Sequence, residues 1–313
     1  MPLNVAFYGA GERARPYLDA LARRADVRVA AVCDLDRRAA EQSAAGWGAQ
    51  VFLSYAAMLN EARPDALWVC VAPHLQGDVL LKAAEQAVPF FVEPPGAMDY
   101  ERARLYGRRA EEAKLVTAVG YPTRYTDLVQ EAREYLGANP VPLALGWWLR
   151  PPADDVPATA AGLLWNEACG MVDVLRFFCG EVIRVQALHA GTGQGGMVVQ
   201  MEFDGSAVGV LTCAAFARPE PRVELELLGD GWSMSLGAGL AALRLVEQDK
   251  TTILRRLNAP AADHVAAFLD AVAAGSPGAL PASYGAALRT LAVCQAAALS
   301  AREGRAVAVQ EVS

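Results

Sequence analysis

The stretch LNVAFYGAGERA, residues 3–14, decides how this chain begins to fold. Its largely apolar first half predicts a buried strand, Leu3–Tyr8. The second half has the pattern G-x-G-x-x-A and opens an amphipathic segment of helical period, Arg13–Arg24. In such a strand-turn-helix unit Gly9 permits a tight turn, Gly11 lets a ligand approach the backbone, and Ala14 allows the helix to pack against the strand.

Short apolar runs alternate with amphipathic segments, such as Tyr100–Ala113, as far as residue 120. Apolar strands that alternate with helices are typical of a parallel, doubly wound sheet. We therefore predict an α/β Rossmann domain over residues 1–120. Its predicted strands are Leu3–Tyr8, Val27–Cys33, Val51–Leu53, Leu67–Ala72, Phe90–Glu93 and Leu115–Val119.

The pattern changes after residue 120, where longer helical segments enclose a series of strands. Gly-rich or Asp-Gly turns separate these strands between residues 181 and 254. This predicts an α+β domain over residues 121–313 with a large open antiparallel sheet, helices on one face, and a C-terminal helix that packs back on the Rossmann domain. The predicted elements are a strand at Leu143–Leu149, a Pro/Asp-rich loop at Pro151–Ala160, and helices at Asp127–Leu136, Ala161–Phe178, Ala262–Ala274 and Tyr284–Glu303.

Composition narrows the class of protein. The chain has 313 residues, of which 54% are hydrophobic, and a net charge of −7. Without a basic cluster we expect neither a nucleic-acid partner nor an anionic membrane surface. We find no leader-like segment and no apolar run long enough to cross a membrane, so we expect a cytoplasmic protein. Six scattered cysteines without a C-x-x-C pair indicate free thiols and no metal site.

An acid follows the second predicted strand. Asp34 lies about 25 residues beyond Gly9, close to the spacing at which an acid accepts hydrogen bonds from the ribose of a bound dinucleotide. A carboxylate there repels a 2′-phosphate, so we expect NAD(H) rather than NADP(H), although Arg37 and Arg38 are near enough to weaken that preference. The alternative is that Asp34 only caps a helix beginning near Leu35.

Seven ordered segments carry a resemblance to a known family. Together they resemble the Gfo/Idh/MocA family of glucose–fructose oxidoreductase and inositol dehydrogenase, over essentially the whole chain. The resemblance implies an oxidoreductase that acts on a sugar, polyol or related small molecule, and a homodimer or homotetramer that forms through the second-domain sheet. The segments are GAG (9–11), AVCDLD (31–36), VAPHLQG (71–77), FFVEPPGA (90–97), VGYPTRY (119–125), WNEACGMVDVLRFFCG (165–180) and ALRTLAVCQAAALSAREGRAV (287–307).

The sequence departs from the family where the chemistry is expected. The family's fifth strand ends in Glu-Lys-Pro, with the lysine beside the nicotinamide, and an Asp-x-x-x-His pair follows in the second domain. Here Glu93 matches, but Pro94, Asn166 and Gly170 occupy the lysine, aspartate and histidine positions. Removing a hydride from a carbinol carbon leaves a proton that a base must take. We therefore assign no catalytic residue at the family positions.

Other residues remain as candidates for each role. His74, Tyr121 and Glu167 are the candidates for a catalytic role. The alternatives are that His74 is a loop residue, that Tyr121 only packs against its neighbours, and that Glu167 faces solvent or pairs with an arginine. Candidates for substrate binding are Arg124, Trp165 and Asn166; the alternative for Arg124 is a salt bridge to a neighbouring acid. A catalytically silent NAD(H)-binding sensor or partner protein is the competing function. The cofactor-binding candidates are Gly9, Gly11, Glu12, Arg13, Asp34, Pro73, His74 and Glu93.

Overall fold

Six parallel strands form the sheet of the N-terminal part of the molecule. A computed structural model describes residues 2–137, 139–150, 159–190, 195–215, 220–277 and 280–313. The spatial order β3-β2-β1-β4-β5-β6 is that of a doubly wound dinucleotide-binding sheet, so the predicted fold class is confirmed. The strands are β1 (Leu3–Tyr8), β2 (Val27–Cys33), β3 (Gln50–Phe52), β4 (Ala66–Val69), β5 (Phe90–Val92) and β6 (Thr117–Val119).

Five helices connect these strands, and local side chains set where several of them begin. Asp36, Ser54 and Asp99 each accept a hydrogen bond from a backbone N–H in the first turn of the following helix. Pro73 occupies the first helical position of another, where its missing N–H costs nothing. The helices are α1 (Arg15–Leu21), α2 (Arg37–Ala45), α3 (Tyr55–Ala62), α4 (Pro73–Glu85) and α5 (Tyr100–Glu112).

The chain divides into two compact units that are not contiguous in sequence. The first comprises Met1–Pro122 with Ala259–Leu288, and the second comprises Thr123–Asn258 with Arg289–Ser313. The segment 259–288, which was predicted to belong to the second domain, thus groups with the first unit. It contains α9 (Pro260–Ala274) and the beginning of α10 (Tyr284–Glu303).

Aromatic packing explains why residues 259–288 group with the Rossmann sheet. Trp68 of β4 is fully buried and stacks on Phe7 and Phe91, with ring centroids 5.4 and 5.8 Å away. Phe268 of α9 meets the edge of the Trp68 ring at 5.2 Å and is itself fully buried. These side chains belong to one continuous hydrophobic cluster, which the N-terminal residues alone leave incomplete.

The second unit is built on a nine-stranded sheet in the order β14-β13-β12-β11-β7-β10-β9-β8-β15. Neighbouring described strands run antiparallel, as predicted, except β7 and β10, which pair in parallel. The strands are β7 (Leu143–Leu149), β8 (Val182–His189), β9 (Gly196–Phe203), β10 (Val208–Ala214), β11 (Arg222–Gly229), β12 (Trp232–Gly237), β13 (Ala242–Glu247), β14 (Lys250–Arg255) and β15 (Val307–Ala308).

A wide helical turn interrupts the helix expected at Ala161–Phe178. The structure has α7 (Ala160–Leu163), a π-helical turn (Leu164–Ala168) and α8 (Cys169–Cys179). The Asn166 amide donates to the Gly162 carbonyl at 2.9 Å, so a side chain engages a carbonyl just before this turn.

Helix α8 covers one face of the sheet. A Cβ placed on Gly146 of β7 would lie 3.4–3.5 Å from the side chains of Met171 and Leu175, so glycine permits this close approach.

The unit also contains α6 (Asp127–Leu136), as predicted, and 3₁₀ turns at Pro122–Tyr125 and Val309–Glu311. Residues 151–158 of the predicted loop and 191–194 of the predicted Gly-rich turn lie outside the described residues. In the described part of the chain, no helix combines the length and the apolarity that crossing a membrane requires.

Candidate functional site

The two glycines of the first turn have different physical requirements. Gly9 has φ +99°, and a Cβ there would lie 2.5 Å from the backbone oxygen of Cys70, so only glycine fits. At Gly11 a Cβ would meet no protein atom within 4 Å. Open space in front of a backbone that carries no side chain is what a closely approaching ligand needs.

Asp34 lies directly against this turn. Its Oδ2 accepts a hydrogen bond from the Ala10 N–H at 2.7 Å, and its Oδ1 accepts one from the Asp36 N–H at 2.9 Å. The capping alternative for Asp34 is wrong, because Asp36 caps α2 by accepting from the Arg38 N–H at 2.9 Å. The acid and the glycine turn, separate in sequence, therefore form one structural unit.

The turn residues fit a diphosphate followed by a ribose. Within the described part of the chain, the amide N–H groups of Gly11 and Glu12 donate to no protein acceptor, and both residues are exposed. Helix α1 begins at Arg15 rather than at Arg13, because residues 11–14 form tight turns first. Two backbone donors in front of a bare Cα suit phosphate oxygens, and each Asp34 oxygen retains a lone pair for a ribose hydroxyl.

A buried amide joins the carboxyl ends of β4 and β5, where open α/β sheets bind ligands. The Gln76 Nε2 donates to the carbonyls of Val71, at 3.1 Å, and Glu93, at 3.0 Å. Gln76 is fully buried, and its Oε1 has no partner among the described residues. Pro73 and His74 form the first turn of α4 nearby, and His74 is exposed.

The Glu93 carboxyl sits at the end of β5 in a crowded setting. The buried Tyr17 hydroxyl donates to its Oε1. A Cβ on Gly120 would lie 2.9 Å from both of these oxygens and 3.1 Å from Pro94 Cδ, so the glycine leaves room for the pair. Burial raises the pKa of Glu93, although the hydrogen bond from Tyr17 and the positive charge of Arg13 oppose that rise.

Two further candidates are buried. Tyr121, which follows β6, is 3% exposed. Arg124 forms a paired contact with Asp173 of α8, Nε to Oδ2 at 2.6 Å and Nη2 to Oδ1 at 2.7 Å, and both residues are buried. The ion pair weighed as the alternative for Arg124 is therefore present, and a role for Arg124 in substrate binding stays a prediction.

The remaining candidates lie on the π-helical turn and at the start of α8. Trp165 is buried, whereas Asn166 and Glu167 are partly buried. Gly170 is also partly buried, and a Cβ there would meet no protein atom within 4 Å. The second unit therefore has room for a larger side chain at residue 170.

Sequence reasoning missed two residues of the site. Tyr17 and Gln76 both hydrogen-bond to Glu93, and neither was among the predicted site residues, although Gln76 lies within the segment VAPHLQG. The available signal was their placement: each is a polar residue at a helix position that packs toward the sheet, where a polar atom needs a partner. Such a pattern indicates a buried hydrogen bond but does not identify the acceptor.

The N-terminal residues match a known family. The family model Gfo/Idh/MocA, described as an oxidoreductase family with an NAD-binding Rossmann fold, matches residues 3–121. The chain is 28% identical over 125 residues to inositol 2-dehydrogenase of Rhizobium meliloti, covering 40% of this chain and 38% of that protein. It is 32% identical over 135 residues to D-glucoside 3-dehydrogenase of Escherichia coli, covering 42% and 38%. These matches span about two fifths of each relative's length.

Solved structures resemble the whole chain in fold. An oxidoreductase from Agrobacterium radiobacter in complex with NAD⁺, L-tartaric acid and magnesium has a TM-score of 0.87 at 17% identity, with both chains fully covered. UDP-N-acetylglucosamine 3-dehydrogenase from Acidithiobacillus ferrooxidans has a TM-score of 0.84 at 20% identity, covering 97% of this chain and 99% of that one. A putative NADPH-dependent oxidoreductase from Desulfitobacterium hafniense has a TM-score of 0.89 at 16% identity, with 99% of each chain covered. At these identities the likeness shows a shared fold.

Proposed function

We infer that this chain is an oxidoreductase of the Gfo/Idh/MocA family, whose model with an NAD-binding Rossmann fold matches residues 3–121. In this proposal it binds a nicotinamide dinucleotide and oxidises an alcohol of a sugar, polyol or related small molecule. When bound, the dinucleotide supplies the acceptor for a hydride. The single observation that carries the binding proposal is the hydrogen bond of 2.7 Å from the Ala10 N–H to Asp34. It holds the glycine turn, which we expect to bind the phosphates, against the acid that we expect to bind the ribose.

The same acid supports a preference for NAD(H). A 2′-phosphate would approach the Asp34 carboxylate, which repels it. Leu35, the next residue, is 69% exposed, and its apolar side chain offers no donor to a phosphate. Arg37 lies near an acid of its own helix, Glu41, with their charged atoms 3.6 Å apart. These observations favour the cofactor without the extra phosphate.

Calorimetric titration with the four nicotinamide dinucleotides tests the binding proposal. We expect NAD(H) to bind more tightly than NADP(H), and Asp34→Ala to weaken NAD(H) binding by about tenfold or more, since a charge-assisted hydrogen bond is worth roughly 1.5–3 kcal/mol. Asp36→Ala is the matched control: it removes a helix cap but not the ribose acid, so cofactor affinity should be retained. Failure of the wild-type protein to bind any of the four at millimolar concentration refutes the proposal.

Support for the substrate class comes from the relatives. Those described above include dehydrogenases of inositol, of D-glucosides and of UDP-N-acetylglucosamine. We therefore propose a hydroxyl group of a sugar or cyclic polyol as the reacting group. A panel of inositols, hexoses and glucosides, followed by the absorbance of reduced nicotinamide, tests this. No absorbance change with any member of the panel, in a protein that binds NAD(H), counts against an oxidoreductase.

A second function is favoured by one specific observation. On the resemblance described above, Pro94, Asn166 and Gly170 occupy the positions of the family's lysine, aspartate and histidine, which suits a protein that binds NAD(H) without turning it over. Restoring all three, as Pro94→Lys with Asn166→Asp and Gly170→His, separates the alternatives. Dehydrogenase activity only in the triple variant would favour a silent binding protein, whereas activity already present in the wild type would exclude it.

A further inference from the structure

The two oxygens of the Glu93 carboxyl have different surroundings. Oε1 accepts the hydrogen bond from Tyr17, whose ring is buried and packs on Phe91 with centroids 4.8 Å apart. Among the described residues, none hydrogen-bonds to Oε2, and Glu93 is only partly buried. One oxygen is therefore fixed by the fold while the other remains available to an incoming group.

The backbone at this residue is also fixed. The Glu93 N–H donates to the Val69 carbonyl at 3.0 Å, and its carbonyl accepts from Gln76 at 3.0 Å. Gly120 follows the adjacent strand and donates its N–H to the Val92 carbonyl at 2.9 Å. A carboxyl held at main chain and side chain, at the ligand-binding edge of the sheet, has the preorganisation that proton transfer requires.

Three charged or titratable groups surround this carboxyl. They are Tyr17 on α1, Arg13 in the glycine turn that follows β1, and Cys70 after β4. Burial and the charge of Glu93 raise the pKa values of Tyr17 and Cys70 well above their ordinary ranges, so both stay neutral near pH 7. Burial raises the pKa of Glu93 itself, so this pKa lies closer to neutral pH than that of an exposed glutamate. Glu93 is the member of the cluster suited to exchange a proton.

We propose that Glu93 is a catalytic residue of the oxidoreductase, that its Oε2 accepts the proton of the substrate hydroxyl, and that Tyr17 is its positioning residue. This inference rests on the proposed function. Proton transfer, which the resemblance would assign to a lysine at residue 94, is thereby assigned to Glu93, since Pro94 has no titratable group.

The step balances with the oxidant that the proposed function supplies. The carbinol C–H bond breaks and its two electrons leave with the hydride for the oxidised nicotinamide, which is reduced. The O–H bond breaks as its proton passes to Glu93 Oε2, and the carbon–oxygen bond becomes a carbonyl. Glu93 then releases the proton to solvent, while Tyr17 holds Oε1 throughout.

Cofactor affinity as a function of pH tests whether Glu93 faces the nicotinamide. The oxidised ring carries a positive charge and the reduced ring does not. If ionised Glu93 lies beside it, the ratio of NAD⁺ affinity to NADH affinity must rise with pH through the Glu93 pKa, by about tenfold or more. Glu93→Gln keeps the acceptor for Tyr17 but cannot ionise, so it should abolish the rise. Glu111→Gln, an exposed carboxyl on α5, is the matched control that should keep it.

Tyr17→Phe tests the positioning role. The hydrogen bond from Tyr17 lowers the Glu93 pKa, so its removal should move the pH dependence of the affinity ratio to higher pH. A purely structural tyrosine would leave that midpoint unchanged. Thermal melts of each variant establish that it is folded. The phenylalanine ring retains the contact with Phe91, so the variant isolates the hydroxyl.

The outcomes separate this inference from the proposed function. A protein that binds both cofactors with a pH-independent affinity ratio overturns the role of Glu93 and leaves the cofactor proposal standing. With an alcohol that the wild type oxidises, Glu93→Gln should lower kcat by roughly 10²–10⁴-fold. An unchanged kcat also overturns it. Absence of cofactor binding, or of any oxidised alcohol in the panel, refutes the proposed function and this inference with it.

Discussion

Gly9 and Gly11 are both glycines of the turn after β1, but for different physical reasons. Gly9 is fixed by the protein itself, through its positive φ and the Cys70 carbonyl, whereas Gly11 faces space that no protein atom fills. We expect Gly9→Ala to lower the free energy of unfolding by more than about 2 kcal/mol. Gly11→Ala should change it by less than about 0.5 kcal/mol and instead weaken NAD(H) binding.

Urea denaturation and calorimetric titration of the two variants check this pair. Equal losses of stability would show that the glycines serve one structural purpose, and equal cofactor affinities would remove Gly11 from the site.

Gly120 offers a second test at the scale of one atom. A methyl group there would press on Glu93, on the Tyr17 hydroxyl and on Pro94. We expect Gly120→Ala to cost about 1–3 kcal/mol of stability, the usual range for overpacking, and to alter the titration of the Glu93 carboxyl measured by ¹³C NMR. Gly46→Ala, where a Cβ meets nothing within 4 Å, is the control. An unchanged Glu93 titration would mean that the pair tolerates displacement.

The sequence predicted the residues of a local motif better than those that act across the fold. Gly9, Gly11 and Asp34 follow from spacing, because strand, turn and helix fix their positions. The contacts of Tyr17 and Gln76 with Glu93 could not be identified in this way, since Glu93 lies 76 residues from Tyr17 and 17 residues from Gln76 and only the completed sheet brings them together.

Helix α8 is connected to the 3₁₀ turn before α6 by a buried ion pair. Arg124 and Asp173 form two hydrogen bonds of 2.6 and 2.7 Å, and Thr290 donates to the same carboxylate at 3.0 Å. We expect Asp173→Asn to lower the free energy of unfolding by about 3–5 kcal/mol, because a buried guanidinium loses its counter-charge. Arg184→Met, at an exposed pair with Glu202, should cost less than about 1 kcal/mol.

Chemical denaturation measures both variants. If Asp173→Asn costs no more than Arg184→Met, the buried charge is compensated elsewhere. In an Arg124→Met/Asp173→Leu double variant neither partner of the buried pair is charged, so this variant should lose less stability than the sum of its two single variants.

Asp127, at the first position of α6, makes stability depend on pH. Its carboxylate accepts from the N–H groups of Leu128, Leu257 and Asn258. Partial burial raises the Asp127 pKa, but the three hydrogen bonds and the positive charge of Arg256 together lower it by more, so the folded value lies below the unfolded one. The stabilisation is therefore present above the unfolded pKa, about 3.9, and is lost as the pH falls through the folded value.

We expect Asp127→Asn to be less stable than the wild type at pH 7, by about 1–3 kcal/mol, with the difference shrinking below about pH 4. Thermal melts across pH 3–8 check this, with Asp249→Asn in an exposed turn as the control. A difference that is constant with pH would show that the charge of Asp127 is not the stabilising feature.

Several element boundaries were predictable from the hydrophobic period and the turn residues that flank it. β1, β2, β7, α6 and α10 have the predicted bounds. The helix predicted over residues 161–178 was interrupted, because apolar period alone cannot reveal that Asn166 bonds to the Gly162 carbonyl.

At the scale of the molecule, one face of the nine-stranded sheet exposes large apolar side chains. Leu188, Val208 and Ile253 are 63%, 44% and 64% exposed. The strand register places all three on the face opposite α8. If the expected homodimer or homotetramer forms through this sheet, its interface would cover these side chains.

We expect light scattering to give a mass above the 33.2 kDa of one chain, and Leu188→Lys with Val208→Lys to reduce it to that of a monomer. Leu257→Lys, at a 91% exposed residue that lies outside the sheet, should leave the mass unchanged. A monomeric wild type at high protein concentration would contradict the expectation.

The fold class was predictable at this scale, because alternating strands and helices permit few topologies. The grouping of residues 259–288 with the first unit was not, since the α9 pattern fits either sheet and only the contact of Phe268 with Trp68 decides between them.

That discontinuity has a consequence for how the chain is made. Segments leaving the ribosome usually fold as they emerge, yet here the surface of Trp68 and Phe91 waits for Phe268 until most of the protein has been synthesised. We therefore expect the nascent first unit to expose an aromatic patch during translation, a feature that chaperones recognise.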